Sequence, residues 1–241
     1  MEFAGVIRPV IDRVYVGLRG ASHARVRALY EQRGLNPGIE VNCYYALLDH
    51  PVPAEAVAAW KTYSGFDTEA ELARGIAELV DGVWQLTAPG RQLALAVDEA
   101  VGAGAERLWG ARPIETMPGL GGLERLSALT ARVLEAGQGS GGPAFSGLTP
   151  VFAADDAGPA AVLASQLGAL RHHRADAHRA AWRAAGLSAG EVVGLGPGPV
   201  RDRVEAETDR LDATAYRVLS ASERLELLAG LGALPDGISA R

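Results

Sequence analysis

Lysine and cysteine are almost absent from this chain: Lys61 and Cys43 are the only ones. A single cysteine excludes an intramolecular disulfide and any cysteine-only metal cage, so a metal would have to be held by histidines and carboxylates. The remaining cations are arginines, and with the abundant alanine and glycine they read as the codon bias of a GC-rich genome. No apolar run reaches bilayer-spanning length. The opening Met1-Glu2-Phe3-Ala4-Gly5 lacks the basic-then-apolar order of a secretory signal, so a cytoplasmic location and no membrane partner are expected. A net charge of -6 and a pI near 5.4 oppose general attraction to a polyanion, leaving room only for a local basic patch. Nucleotide signatures are missing as well. Gly119-Leu120-Gly121-Gly122 and Gly194-Leu195-Gly196-Pro197-Gly198 lack a preceding buried strand and the lysine or acidic partner such sites need. A serine nucleophile elbow is also absent, and no cofactor is expected.

What is present is a chain of 241 residues, 48% hydrophobic, long enough for one large or two small cores. Periodicity gives a mainly α protein. Helices are expected over 6–18, 24–32, 39–48, 54–63, 68–80, 92–108, 120–135, 159–185, 189–194, 201–219 and 221–231. Thr68-Glu69-Ala70-Glu71 and Ser188-Ala189-Gly190-Glu191 are capping-box patterns, and Gly158-Pro159 before a long Ala/Leu-rich run with Gly186 after it marks a helix start and stop. The clearest β signal is short: Asp81-Gly82 makes a turn, Val83–Thr87 suits a strand, and Pro89-Gly90 ends it. Two helices, a small hairpin and a further helix is the order of a winged helix. The run Gly137-Gln138-Gly139-Ser140-Gly141-Gly142-Pro143 reads as flexible punctuation. It divides the chain into a winged-helix-like domain at 1–135, a linker at 136–158 and a helical domain at 159–241. Glu124-Arg125-Leu126 with Leu129 is echoed faintly by Glu223-Arg224-Leu225 with Leu228.

The longest helix carries the main anomaly. Stepping about 100° per residue places Leu163, Leu167, Leu170, Ala181 and Ala185 on one stripe, with Arg174 and His178 in its middle and Arg171 and Trp182 at its edge. Buried arginine is rare unless paired, so these positions either line a pocket or form a buried salt bridge to Glu205, Glu207 or Asp209 of a neighbouring helix. In the pocket reading Arg174 anchors an anionic or carbonyl group and His178, with an ordinary pKa of about 6.5, moves a proton. His172, Asp176, Arg179 and Arg183 fall on the opposite, outward side. There His172 and Asp176 can pair, which separates them from His178 and argues against a shared metal. Asn42-Cys43-Tyr44-Tyr45 is a second polar-aromatic cluster. Tyr44 or Tyr45 would orient a ligand, Cys43 is read as core, and His50 between Asp49 and Pro51 as loop. Trp60, Trp84, Trp109 and Trp182 are core by default or pocket walls.

The chain resembles a family of actinobacterial helix-turn-helix proteins, related in shape to MarR-type winged helices and mostly of unassigned function, as a divergent member. The resemblance is carried by Tyr44-Tyr45-Ala46-Leu47-Leu48 with Pro51-Val52-Pro53-Ala54-Glu55-Ala56-Val57, by Leu170–His178 with Ala184-Ala185-Gly186-Leu187, and by Arg203–Leu211. It implies two related winged-helix-like halves. The second is degenerate, because after Glu191 its helix and wing shorten to Gly194–Pro199 and leave no recognition helix.

In the first half the groove-reading helix precedes the wing and spans 68–80. Its inward face would be Leu72, Ile76, Leu79 and Val80. Glu71, Arg74 and Glu78 would face outward with Glu69 near the start, and one arginine among three glutamates is poorly suited to neutralising phosphates. The expected function is therefore small-molecule binding on a winged-helix-derived scaffold that has lost DNA recognition. Its stronger form is a cofactor-independent acid–base enzyme of specialised metabolism catalysing cyclisation, isomerisation or dehydration. His178 and Arg174 are the catalytic candidates, and Tyr44, Tyr45, Arg171 and Trp182 the ligand-binding ones. No metal is assigned, no nucleic-acid partner is expected, and a homodimer is the assembly considered. The alternative is a MarR-like, ligand-responsive DNA-binding transcriptional regulator.

Overall fold

The computed structural model describes residues 2–35, 41–63, 67–110 and 121–237, with the backbone alone for 41–44. Among these are eleven α-helices and three short strands. The fold is mainly helical with one small antiparallel sheet, as expected. α1 (Phe3–Glu31) is a single helix where two were expected. The step through Gly20 does not break it, because Ile7, Ile11, Val14, Leu18, Ser22, Val26 and Tyr30 continue one buried stripe at helical spacing. Ser22 turns its hydroxyl back to the Leu18 carbonyl, 2.9 Å away, instead of capping a new helix.

α2 (Val41–Asp49), β1 (Val52–Pro53), α3 (Ala54–Trp60), α4 (Thr68–Leu72), β2 (Ala77–Val80) and β3 (Val83–Leu86) follow in the order of a winged helix. The sheet order is β1-β3-β2, with Val52 opposite Trp84 and Leu79 opposite Trp84 on the other side. Asp81 and Gly82 both have positive φ, 50° and 80°, the conformation of a two-residue type I′ hairpin turn.

The expected helix over 68–80 is corrected here. It stops at Leu72, Gly75 takes a φ of 68°, and residues 77–80 form β2. Leu72, Ile76, Leu79 and Val80 satisfy helical spacing, but pairing with β3 supplies the ladder that wins, and Leu79 and Val80 are left 38% and 42% exposed. The cap is Asp67, whose carboxylate accepts the Ala70 amide at 3.0 Å, not Thr68.

α5 (Ala88–Ala105) starts on the Thr87 cap and ends in a single π turn at Glu106–Gly110. α6 (Leu123–Gly137), α7 (Pro143–Ser146), α8 (Pro159–Ala184), α9 (Ala189–Val193), α10 (Pro199–Tyr216) and α11 (Ala221–Ala233) complete the chain. Gly158, Pro159 and a Gly186 with φ of 74° bound α8, and Ser188 and Glu191 form the expected capping box of α9. Among the described residues no strand follows residue 86. The glycine-rich stretch after α6 leads into α7, whose Phe145 is fully buried. Side chains from every helix but α9 share one continuous apolar core; Ala189 and Val192 of α9 pack instead against a small satellite of Ala181, Trp182 and Val204.

α8 is the central helix. It packs against α6, α10, α5, α7, α1 and α2. The helix is packed over most of its length, so His172, Asp176 and Arg179, expected to point outward, are all buried, whereas Arg183 is exposed as expected, with Ala180 and Ala184. Ala185, expected on the inward stripe, is exposed just past the helix end.

Candidate functional site

α8 lays Arg171, Arg174, Ala175 and His178 along one wall of a cavity of about 350 Å³. α1 contributes Arg8, Ile11 and Asp12 from one side, and α10 contributes Glu205, Thr208, Asp212 and Tyr216 from another. Trp60 and Tyr63, at and just beyond the end of α3, close the aromatic side. The i, i+3, i+7 spacing of 171, 174 and 178 is what brings these three side chains to one face.

The wall is largely self-neutralised. Arg174 Nη2 lies 2.7 Å from Asp209 and 3.5 Å from Glu205, and its Nη1 lies 3.4 Å from Asp212. Burial opposes the Arg174 charge, but the hydrogen bond to Asp209 and the charges of Asp212 and Asp209 outweigh it and raise its pKa. Arg171 donates to Asp12 at 2.8 Å, and its guanidinium lies 4.6 Å from the centroid of the Tyr15 ring. Arg8 bridges Asp12 and Glu205. The pocket and the buried ion network, distinct alternatives from the sequence, therefore share the same residues.

His178 stands apart from that network. Its Nδ1 is 2.8 Å from the Tyr63 hydroxyl, which also accepts the Trp182 indole N–H at 3.0 Å. The indole can only donate, so the phenol keeps its own proton available for Nδ1, the arrangement in which the His178 proton sits on Nε2. Burial lowers its pKa; the negative charge of Glu205 opposes this, and the positive charges of Arg8, Arg174 and Arg179 act in the same direction as burial. The cavity is thus lined by an imidazole whose charged form burial disfavours, amid paired charges and aromatic rings.

The other candidates are dispersed. Trp182 acts through Tyr63 and packs in the satellite cluster without lining the cavity. Tyr45 is buried elsewhere, near Asp98, Tyr15, Arg19 and Tyr30; burial, then the Asp98 charge, pushes its pKa well up. The side chain of Tyr44 lies outside the described residues. Glu207 faces away and pairs with Arg210. Asp176 pairs with Arg179 and accepts the Phe145 amide at 2.8 Å, so it caps α7. Reading the α10 carboxylates at i, i+4 and i+7 (Glu205, Asp209, Asp212) would have found the third partner of Arg174. Nothing local announces Tyr63 or Asp12. Among the described residues no group of three His, Cys, Asp or Glu is placed to hold a metal ion, and no helix is long and apolar enough to cross a membrane.

A helix-turn-helix family model matches residues 50–197, more than half of the chain. The chain belongs to this helix-turn-helix family. No curated protein and no solved structure matches it. The matched span of this helix-turn-helix protein runs from two residues before β1 to just past α9, so it includes the wing and the α8 wall of the cavity. The Arg8, Asp12, Glu205 and Asp212 walls come from α1 and α10, outside it. In the winged segment, residues 67–86 hold five carboxylates and one arginine. That arginine, Arg74, is already 3.3 Å from Glu71.

Proposed function

We propose that this helix-turn-helix protein binds a small organic molecule in the cavity between α1, α3, α8 and α10 and does not read DNA. The observation that carries the reading is His178, held by Tyr63 on the wall of a cavity of about 350 Å³, within the usual size range of small-ligand sites. The flanking Trp60, Tyr63 and Tyr216 rings suit an aromatic or conjugated body. The Nε2–H of His178 suits a carbonyl or carboxylate oxygen. Acid–base turnover such as isomerisation, cyclisation or dehydration is the stronger form of the proposal, with His178 transferring the proton and Arg174 and Arg171 setting the field. The acidic segment 67–86 supports the loss of DNA reading, because phosphate neutralisation provides most non-specific DNA affinity.

The test is a thermal-shift screen of aromatic carboxylates and ketones, repeated on His178→Ala and Arg171→Ala, beside a gel-shift titration with random duplex DNA at low salt. Compounds that raise the wild-type melting temperature and lose their effect in His178→Ala support the reading. Ligand shifts indifferent to both substitutions, or duplex binding that weakens steeply with salt, would overturn it.

A further inference from the structure

A second constellation lies on the far side of α8. Ser140, in the glycine-rich loop between α6 and α7, has its Oγ 3.0 Å from His173 Nε2, and His173 Nδ1 is 2.7 Å from Asp212 Oδ1. The tautomer follows from the partners. A carboxylate only accepts, so Nδ1 carries a proton; in the neutral imidazole Nε2 then presents its lone pair and the Ser140 hydroxyl donates to it. His173 and Asp212 are each 2% exposed, whereas Ser140 is exposed. From these positions we infer that Ser140, His173 and Asp212 form a nucleophilic relay capable of acyl transfer from small esters.

The surroundings hold the imidazole as such a relay requires. Phe145 packs edge-on against the His173 ring, with centroids 5.0 Å apart at 83°. At Gly137 a Cβ would come within 3.3 Å of His173 Cδ2 and 3.0 Å of Phe145 Cζ, and at Gly141 within 2.2 Å of Phe145 Cδ1. These glycines are where the loop closes onto the relay, a different use from flexible punctuation. The other carboxylate oxygen of Asp212 faces Arg174 at 3.4 Å, which makes Arg174 and Asp212 positioning residues for His173.

Ser140 opens on a groove of about 560 Å³ that does not communicate its lining to the first cavity except through Arg179. Its apolar part is Ala58, Ala59, Ala177, Ala180 and Leu211, small side chains that suit a short aliphatic acyl chain. The Ser140 and Gly141 amides are both spent on the Gly137 carbonyl, at 3.0 and 2.7 Å.

In the first half-reaction Ser140 Oγ adds to the ester carbonyl as its proton passes to His173 Nε2. The C–O bond to the alcohol then breaks, and the alcohol leaves with that proton. In the second, water attacks the acyl-serine, its proton passing through His173 back to Ser140 Oγ, and the carboxylic acid departs. The sum is ester plus water to acid plus alcohol.

Asp212 and Arg174 line the first cavity but Ser140 and His173 do not, so an adduct at Ser140 is read separately from ligand binding there. It is tested with a fluorophosphonate probe and with p-nitrophenyl acetate and butyrate on the full chain. One adduct per chain on Ser140 is expected, with ester hydrolysis falling roughly 10³-fold or more in Ser140→Ala, whose folding is checked by its melting temperature. Asp212→Asn is expected to lower kcat with KM little changed. A folded wild type that takes no adduct at Ser140, or hydrolysis that persists in Ser140→Ala, overturns the relay and leaves the serine as a structural tie to a buried histidine.

Discussion

Replacing Arg174 by methionine keeps most of the side chain's length while removing the guanidinium that three carboxylates share. Asp212 is nearly inaccessible to water and keeps only His173; Asp209 and Glu205 are partly exposed, and Glu205 retains Arg8 at 3.0 Å. Stranding one partner of a fully buried ion pair costs about 3–5 kcal/mol. With two of the three carboxylates able to reach water, about 2–3 kcal/mol is expected for Arg174→Met. In a chain of this length that is a loss of about 5–10 °C in melting temperature. Calorimetry and guanidinium unfolding at pH 7 measure it, with a salt titration alongside. Adding Asp209→Leu to Arg174→Met should recover part of the loss, because one stranded charge is removed with its partner. A drop of less than about 1 °C, or one that disappears in moderate salt, would show the network to be solvent-screened like a surface pair and refute its role as the wall of the cavity.

Burial raises the Asp98 pKa to about 6. Its contribution to stability is therefore present below the unfolded value of 3.8 and is lost as pH rises through about 6. Asp98→Asn should stabilise the protein at pH 8 by about 1–2 kcal/mol once solvent screening is allowed for, with no gain at pH 4; thermal melts at the two pH values decide it. His178 has the opposite sign. Burial lowers its pKa below the ordinary histidine value of 6.5, so its contribution is present above about 6.5 and is lost as pH falls through the lowered folded value, and His178→Gln should flatten the stability curve below about pH 6.5. At Gly90 a Cβ would sit 1.7 Å from the Ile76 carbonyl oxygen, backbone that also accepts from the Thr87 amide and hydroxyl. Gly90→Ala should cost about 3 kcal/mol or more by prising α5 from the wing, and an unchanged melting temperature would contradict that packing.

Features governed by short-range geometry were legible in the sequence. Pro159 and Gly186 bound α8, Asp81-Gly82 turns the wing, and Ser188 with Glu191 caps α9, because a cap or tight turn depends on a few adjacent residues. The anomaly of Arg174 and His178 was also readable, together with Glu205 and Asp209 as partners, since an arginine on an apolar stripe demands a carboxylate from elsewhere. Which helix faces are covered was decided only by tertiary structure. Helical spacing separates an inside from an outside only when a helix has one packed face. Through its middle α8 has neighbours on several faces, so His172, Asp176 and Arg179 were misplaced while Arg183, in the exposed last turns, was not, and His173 carried no mark of its contact with Asp212 and Ser140. Long-range pairing likewise turned residues 77–80 into a strand, since hydrogen bonds to β3 outweighed a spacing that both conformations satisfy. Tyr63 reached His178 across 115 positions of sequence, a separation over which no local pattern carries information.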